Sequence, residues 1–398
     1  MSYDAPYKGI KVVDLSQAIA GPYAAGILAR HGADVIKVEP GRGDWARNIG
    51  KSYPGGHTLI TALINLGKRS IGIELKTDGG RDVLRRLLAD ADIFIESFRP
   101  GVTKRLGFGY EDVRAINPRI IYLSVSGFGQ SGPFSERPGT DGVLQAFSGF
   151  VADNKGADGT PHRSNVLLMD MSAALYNVQA LQAALWARQG EKEGRYLDNS
   201  LLETAAALQN LNIAARALDT GGPAQPLAYP YAIFPTKDGA VSFGVVFERE
   251  YKPLMEMLKL PELANDPELQ STHDRFKNRA RIDAPIREAI AAKTTEELCN
   301  ELVKLRMLHE RINNYSDFMH HEQTREMNAF LWNDYPDIGR IPLANIPGAR
   351  RLGDDPAMLR SPLLGEHTTE ILRQYGYSAD EISALEAAGA ITSKRAAA

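Results

Sequence analysis

The sequence predicts an α/β protein with a parallel sheet covered on both faces, followed by a smaller second domain. Two observations carry the sheet. Short apolar runs rich in Val and Ile alternate with amphipathic helical stretches through the first 130 or so residues. Those runs are apolar on both faces, as strands buried between helix layers must be. A third observation carries the second domain. Gly221, Gly222, Pro223 and Pro226 punctuate the chain, and a hairpin pattern then replaces the alternation.

The elements follow in order. "IKVVDL" reads as a strand ending near Asp14, and "PYAAGILARHG" as a helix with Pro22 in its first turn and Gly32 at its stop. "ADVIKVE" is the next strand. "RSIGIEL", "TDGGRDVLRRLLAD" and "DIFIESF" repeat the unit. In the helix Val83, Leu84, Leu87 and Leu88 share one face and Thr77 is placed as N-cap. "GYEDVRAIN" and "PRIIYLSVSGFG" repeat it again. From about 171 to 218 the pattern is helical, broken at "QGEKEGRYLDNS", where Asp198 reads as part of a short turn. "YAIFPTKDGAVSFGVVF" reads as a hairpin turning at Lys237-Asp238-Gly239. Helical segments run on to about Leu305. "IGRIPLANIPGARRL" reads as irregular, and the C-terminus as a loop with two short helices.

The bulk properties exclude several function classes. The 398 residues are 43% hydrophobic and 24% charged, with a net charge of −3. No nucleic-acid backbone is implied as partner. The single cysteine, Cys299, lies in Leu-rich helical surroundings and reads as an inert thiol. No apolar run reaches the ~20 residues of a membrane span, and the start lacks the pattern of a signal peptide. The expected setting is cytoplasmic.

Ligands of parallel sheets bind beyond the carboxyl ends of strands. That directs attention to "SQAIAGP", "EPGRGD", "SFRPG" and "SGFGQSGP". "GFGQSG" fits a G-x-G-x-x-G pattern, but Pro133 follows where a helix must open, and no acid ends a strand about 20 residues on. A glycine loop lining a pocket is the better reading. The histidines form no metal-ligand spacing, and no nucleophile elbow or P-loop occurs, so no metal is expected. Asp170, in "NVLLMDMSAALYNVQAL", is a carboxylate in an apolar run. It reads either as the N-cap of a long helix or as a reacting group; the two roles are compatible, because a helix N-terminus keeps a carboxylate ionised near N–H donors.

Four blocks of the chain carry a resemblance: "IKVVDLSQAIAGPYAAGILARHGADVIKVEPGRGDWAR", the run from "NLGKRSIGIEL" through "SFRPGVTKRLGFGYEDV" to "RPGTD", "GRYLDNSLLETA" and "SPLLGEHTTEIL". In order and spacing they resemble the class III (family III) coenzyme A-transferases, the family of formyl-CoA transferase and carnitine CoA-transferase, to which alpha-methylacyl-CoA racemase is related. The resemblance implies a large Rossmann-like domain built from both chain ends, an inserted smaller α/β domain, and an interlocked homodimer. On this chain it implies a large domain over 1–205, a linker over 206–225, a small domain over 226–320, a second linker over 321–350, and a return to the large domain over 351–398.

The resemblance also implies the chemistry. Asp170 matches the family nucleophile, with Ala174 where the family prefers glycine. It would attack a donor thioester, pass through a mixed anhydride and an aspartyl-CoA thioester, and hand coenzyme A to a free carboxylic acid. Coenzyme A contacts map onto Ala18, Ala20, Leu75, Ser97, Phe98 and Arg105. Arg42 substitutes for a basic residue where Pro40 stands, and Lys104 offers a second phosphate contact. Coenzyme A is then a substrate, with no permanently bound cofactor, and the partners are acyl-CoA and organic acids, succinyl-CoA being the expected donor. Ile19 favours an acceptor larger or more apolar than formate or oxalate. Arg163 and Arg47 are candidates for a distal carboxylate. The glycine-rich lid of formyl-CoA transferase has no counterpart in "AYPYAIFPTKDG". Two alternatives stay open: an acyl-CoA racemase or isomerase, against which Thr140 stands where that chemistry needs a histidine base, and a coenzyme A-binding protein without catalysis.

Overall fold

The computed structural model describes residues 5–156, 158–218 and 228–393. The chain folds as two compact units, Met1–Asn210 with Asn328–Ala398, and Leu211–Met327.

The first unit is built on a seven-stranded sheet. Six strands are β1 (Lys11–Asp14), β2 (Asp34–Glu39), β3 (Arg69–Ile73), β4 (Ile93–Glu96), β5 (Ile121–Ser126) and β6 (Arg195–Ser200). They lie in the order β3-β2-β1-β4-β5-β6, all parallel, and the C-terminal strand Ile391–Thr392 adds antiparallel to β3. This is the Rossmann-type strand order, in which the chain reverses direction between β1 and β4. The labelled helices are α1 (Ala20–Arg30), α2 (Leu59–Ile64), α3 (Asp78–Ala89), α4 (Tyr110–Ile116), α5 (Asp141–Phe147), α6 (Leu168–Ala187) and α7 (Leu201–Leu208).

Alternation along the strands makes two cores. Val12, Val35, Ile93, Ile95, Ile121 and Leu123 face α1 and α6, whereas Val13, Ile36, Phe94 and Tyr122 face α3 and the C-terminal helices. Local signals act as expected: the Thr77 hydroxyl accepts from the Gly80 N–H at 3.1 Å to start α3, and Gly32 takes a φ of +95° after α1.

Two strands of the seven-stranded sheet depart from the sequence reading. β6 occupies the "GRYLDNS" stretch taken as a helix break. It is a mostly exposed edge strand, so it carries no apolar run to betray it. Ile391–Thr392 is too short to show a period. The stretch expected as linker over 321–350 contains an antiparallel pair, Phe330–Tyr335 with Gly339–Ala344. Tyr335 and Leu343 from that pair are buried with Ala62, Leu66 and Leu352. Of the other expected linker, 206–225, residues Asn210–Leu218 are helical and 219–225 lie outside the described residues, as do Gly221, Gly222, Pro223 and Pro226.

The second unit holds the expected hairpin, Tyr231–Pro235 with Ala240–Gly244, joined by a third strand, His309–Arg311, that the sequence did not announce. Its core gathers Phe234, Phe243, Leu254, Ile286 and Leu298 from the strands and the helices Tyr251–Met257, Arg279–Ala291 and Thr295–Lys304. Cys299 packs at its edge, and burial raises its thiol pKa.

Candidate active site

The loops after β1 and β4 face each other where the strand order reverses, and a cavity of about 300 Å³ opens there. Gln17, Ala18 and Ala20 line it from the first loop, Ser97, Phe98 and Arg99 from the second. Ser126, Thr140 and Asp170 contribute from β5, α5 and α6.

The first loop rests on a buried layer of charge. Asp14 at the end of β1 is fully buried. It accepts from Lys68 Nζ at 2.8 Å and lies 3.9 Å from Lys37 Nζ, which is itself 3.2 Å from Asp44 Oδ2. Arg47 forks onto Glu39 at 2.7 and 2.8 Å. Three acids and three bases thus neutralise one another. Burial alone would push Asp14 up, but the two lysines hold its carboxyl below the ordinary carboxylate range, while burial brings Lys68 down to about 8.

That layer fixes the loop above it. Lys37 Nζ donates to the Ser16 carbonyl, and the Ala18 N–H donates to Asp44 Oδ1 at 3.1 Å. Ala18 is held at a φ of +66°, a left-handed conformation that costs a non-glycine residue about 1–2 kcal/mol. Ser97 ties the two loops together: its hydroxyl accepts from the Gln17 N–H at 2.7 Å and donates to the Gln17 carbonyl at 3.2 Å. Below Ser97, Glu96 accepts from the Phe98 N–H at 2.8 Å and from Ser124, and burial pushes its carboxyl up to about 7.

The glycine loop after β5 serves close approach. A Cβ on Gly127 would stand 2.7 Å from the Cα of Gly139, so only two glycines allow these loops to meet. Arg137, farther along the stretch between β5 and α5, lies over the Phe134 ring at 4.9 Å.

Asp170 differs from the expectation that it caps its helix. α6 begins at Leu168, so Asp170 sits inside the first turn. The cap comes from α5: Asp141 Oδ2 accepts from the Met169 N–H at 2.7 Å and from the Asp170 N–H at 3.2 Å. Gln145 holds Asp141 in place at 2.5 Å, and itself pairs with the Ser164 backbone. The Asp170 carboxylate has no hydrogen-bond or ion-pair partner among the described residues. Burial, with the neighbouring Asp141 charge, pushes it up to about 7, opposite to the ionising effect a cap would have.

Of the residues mapped from the resemblance, Ala18, Ala20, Ser97, Phe98 and Asp170 come together around this cavity. Leu75 is buried in the core between the sheet and α3, away from the lining. Arg42, Lys104 and Arg105 are exposed on loops or a short helical turn and do not line it. Arg47 is unsuited to a distal carboxylate because Glu39 already occupies its fork. Arg163 is exposed, and its guanidinium lies where a side chain on Gly142 would be. Ala174 is fully buried among the small residues of the α1 packing, such as Ala24 and Ala25, so its methyl has room there. Arg99, Arg137 and Trp45 line the cavity and were not singled out. The motifs "SFRPG" and "RPGT" marked their loops, but loop sequence does not say which side chain turns inward.

Comparison with known proteins agrees with this architecture. The model of CoA-transferase family III matches residues 7–368. The chain is 31% identical over 378 residues to the human succinyl-CoA:glutarate CoA-transferase, covering 93% of this chain and 86% of the relative. It is 36% identical over 301 residues to a succinate–glutarate CoA-transferase of Agrobacterium fabrum, covering 73% and 74%. A CAIB/BAIF family protein from Brucella suis superposes with a TM-score of 0.80 at 32% identity, covering 94% of this chain and 100% of that one. Fold, strand reversal and whole-length similarity agree: the chain belongs to CoA-transferase family III.

Proposed function

We propose that this enzyme exchanges coenzyme A between an acyl-CoA donor and a free carboxylic acid through covalent intermediates on Asp170, with succinyl-CoA as donor. The observation that carries the reading is the Asp170 carboxylate, unpaired among the described residues, in a cavity at the sheet's reversal point. The printed activities of the relatives, which pair succinyl-CoA or succinate with glutarate, support the donor.

The steps balance without another reactant. An Asp170 oxygen attacks the thioester carbonyl, the C–S bond breaks, and coenzyme A leaves as thiolate. The thiolate attacks the Asp170 carbonyl of the mixed anhydride, forming aspartyl-CoA and expelling the donor acid as carboxylate. The acceptor carboxylate then attacks aspartyl-CoA, and the returning thiolate takes its acyl group and frees Asp170. Each intermediate is an activated acyl, so the thioester free energy is kept. The loop from Ser16 to Ala20, held from below, and Ser97 are placed to contact coenzyme A. Arg99 and Arg137 offer cations nearby, and Arg42, Lys104 and Arg105 are candidates for its outer phosphates. A homodimer belongs to the same reading; the exposed Trp186 and Leu211 side chains support an oligomer, which sedimentation tests.

Labelled succinate exchanging into succinyl-CoA tests the reaction, and hydroxylamine trapping with mass spectrometry tests the intermediate. Asp170→Ala is expected to lower exchange by more than about a thousandfold and to abolish the trapped adduct. Retained exchange in that variant sinks the mechanism.

A further inference from the structure

A second cavity of about 370 Å³ abuts the first, and its walls are apolar: Ile19, Tyr23, Leu59, Leu63, Leu167 and Met171. Ile19 lies between Ala18 and Ala20, and Met171 follows Asp170, so neighbouring residues of the chain line the two cavities.

One cation stands in this apolar lining. Arg30, the last residue of α1, is 7% exposed. Its Nη1 makes only a long hydrogen bond, 3.4 Å, to the Ala344 carbonyl, and its Nη2 is sealed from solvent with no partner. No carboxylate pairs with it among the described residues; the ionisable groups beside it are Tyr23 and His31, and neither is an acid that would neutralise it near pH 7. A cation at a helix C-terminus is favoured by the dipole, but that effect belongs to the surface and does not repay burial of an unpaired guanidinium. The other buried bases at the heart of this unit, Lys37, Lys68 and Arg47, each have an acid in contact. Arg30 alone of these lacks an anion, and a cavity lies against it.

We propose that this cavity is the acid subsite and that it takes a medium-chain α,ω-dicarboxylic acid, the far carboxylate bound by Arg30 while the near one reacts at Asp170. The inference rests on the coenzyme A transfer proposed at Asp170. Length supports the acid's size. Ala20 to Arg30 is a helix rise of about 15 Å, part of which the Arg30 side chain recovers by leaning toward the helix N-terminus. Because Ala20 shares the first cavity with Asp170, a spacer longer than that of succinate is expected to bridge the remainder. An apolar spacer matches the Leu, Ile and Met walls, and a planar guanidinium matches a carboxylate.

The test uses succinyl-CoA as donor and a series of free acids, dicarboxylates from succinate to sebacate and monocarboxylates of equal carbon number. The wild type is expected to select dicarboxylates, with an optimum beyond glutarate. Arg30→Met is expected to lower the dicarboxylate-to-monocarboxylate ratio of kcat/KM at least about tenfold, through KM, and Arg30→Lys to restore part of it. Leu63, 39% exposed on this lining, allows a variant that leaves the core intact; Leu63→Asp is expected to lower the same ratio by charge repulsion. A ratio that stays within about twofold in these variants, or a wild type that prefers monocarboxylates at every length, overturns the proposal. Calorimetric titration of suberate separates this failure from that of the transferase reading. Binding to the wild type that is lost in Arg30→Met upholds the subsite even where no exchange is seen, and no binding to the wild type overturns it.

Discussion

Two buried charged regions of the first unit sit side by side and are built oppositely. Beneath the Ser16–Ala18 loop, Asp14, Glu39 and Asp44 are matched by Lys37, Lys68 and Arg47. At the start of α6, Asp141 is matched by backbone N–H groups and Gln145, and Asp170 by no partner among the described residues. The first arrangement spends every charge on holding a backbone still. The second leaves one carboxylate uncompensated, as the proposed nucleophile requires. Burial of a paired ion is tolerable because Coulomb attraction and hydrogen bonds offset desolvation, whereas burial of a lone carboxylate raises its pKa and its nucleophilicity.

The largest effect that separates the two regions comes from unpairing the first. Asp14→Ala leaves Lys37 and Lys68 facing each other with Asp44 and the Arg47-paired Glu39 as the remaining acids beside Lys37, and is expected to cost about 3–5 kcal/mol of stability in urea unfolding. A smaller and opposite effect is expected at the second region. In the unfolded chain the Asp170 carboxyl releases its proton near 3.8, in the folded chain near 7. The folded state therefore loses stability as pH rises between those values, and the loss is complete above about 7. Asp170→Asn lacks this titration. Its stability should exceed the wild type's by on the order of 2–4 kcal/mol at pH 8, and the advantage should shrink as pH falls toward 4. A thermal-unfolding series across that range checks the sign; an advantage that grows on acidification sinks it.

Asp141→Asn tests the coupling between the two carboxylates. It removes a negative charge beside Asp170 and weakens the α6 cap. The acid limb of the exchange rate, set by protonation of Asp170, is expected to move to lower pH, with a stability loss of about 1 kcal/mol. The smallest effect is expected at Ser97→Ala, which unties the first loop from the second: about 0.5–1.5 kcal/mol, with a higher KM for the acyl-CoA donor measured by steady-state kinetics.

Much of the sheet could be read from the chain because β1 to β5 are short apolar runs set between helices with clear faces. β6 could not, since an exposed edge strand has no buried face to write into its sequence. The proposed nucleophile, Asp170, is singled out by resemblance, and its local surroundings differ from the sequence reading. An Asp at a helix start reads as a cap, and nothing local says that Asp141, 29 residues earlier, supplies the cap instead. The buried ionic layer was equally hidden. Asp14, Lys37, Asp44 and Lys68 are scattered over four segments, and only the fold brings them together. Arg30 ends α1, a common place for a basic residue, and nothing in its local sequence marks the cavity beside it.

The C-terminal strand Ile391–Thr392 closes the β3 edge with residues made more than 300 positions after it. Until those residues emerge during synthesis, β3 presents open N–H and C=O groups to any passing strand. The helix Thr368–Gln374, whose Thr368 hydroxyl accepts from the Gly72 N–H at 3.1 Å, arrives equally late. Such distant pairing raises the entropic barrier to completing the sheet. The nascent chain thus spends the whole translation of its second unit with an unfinished first one. Shielding that open edge while the ribosome works is expected to favour its yield in the cell.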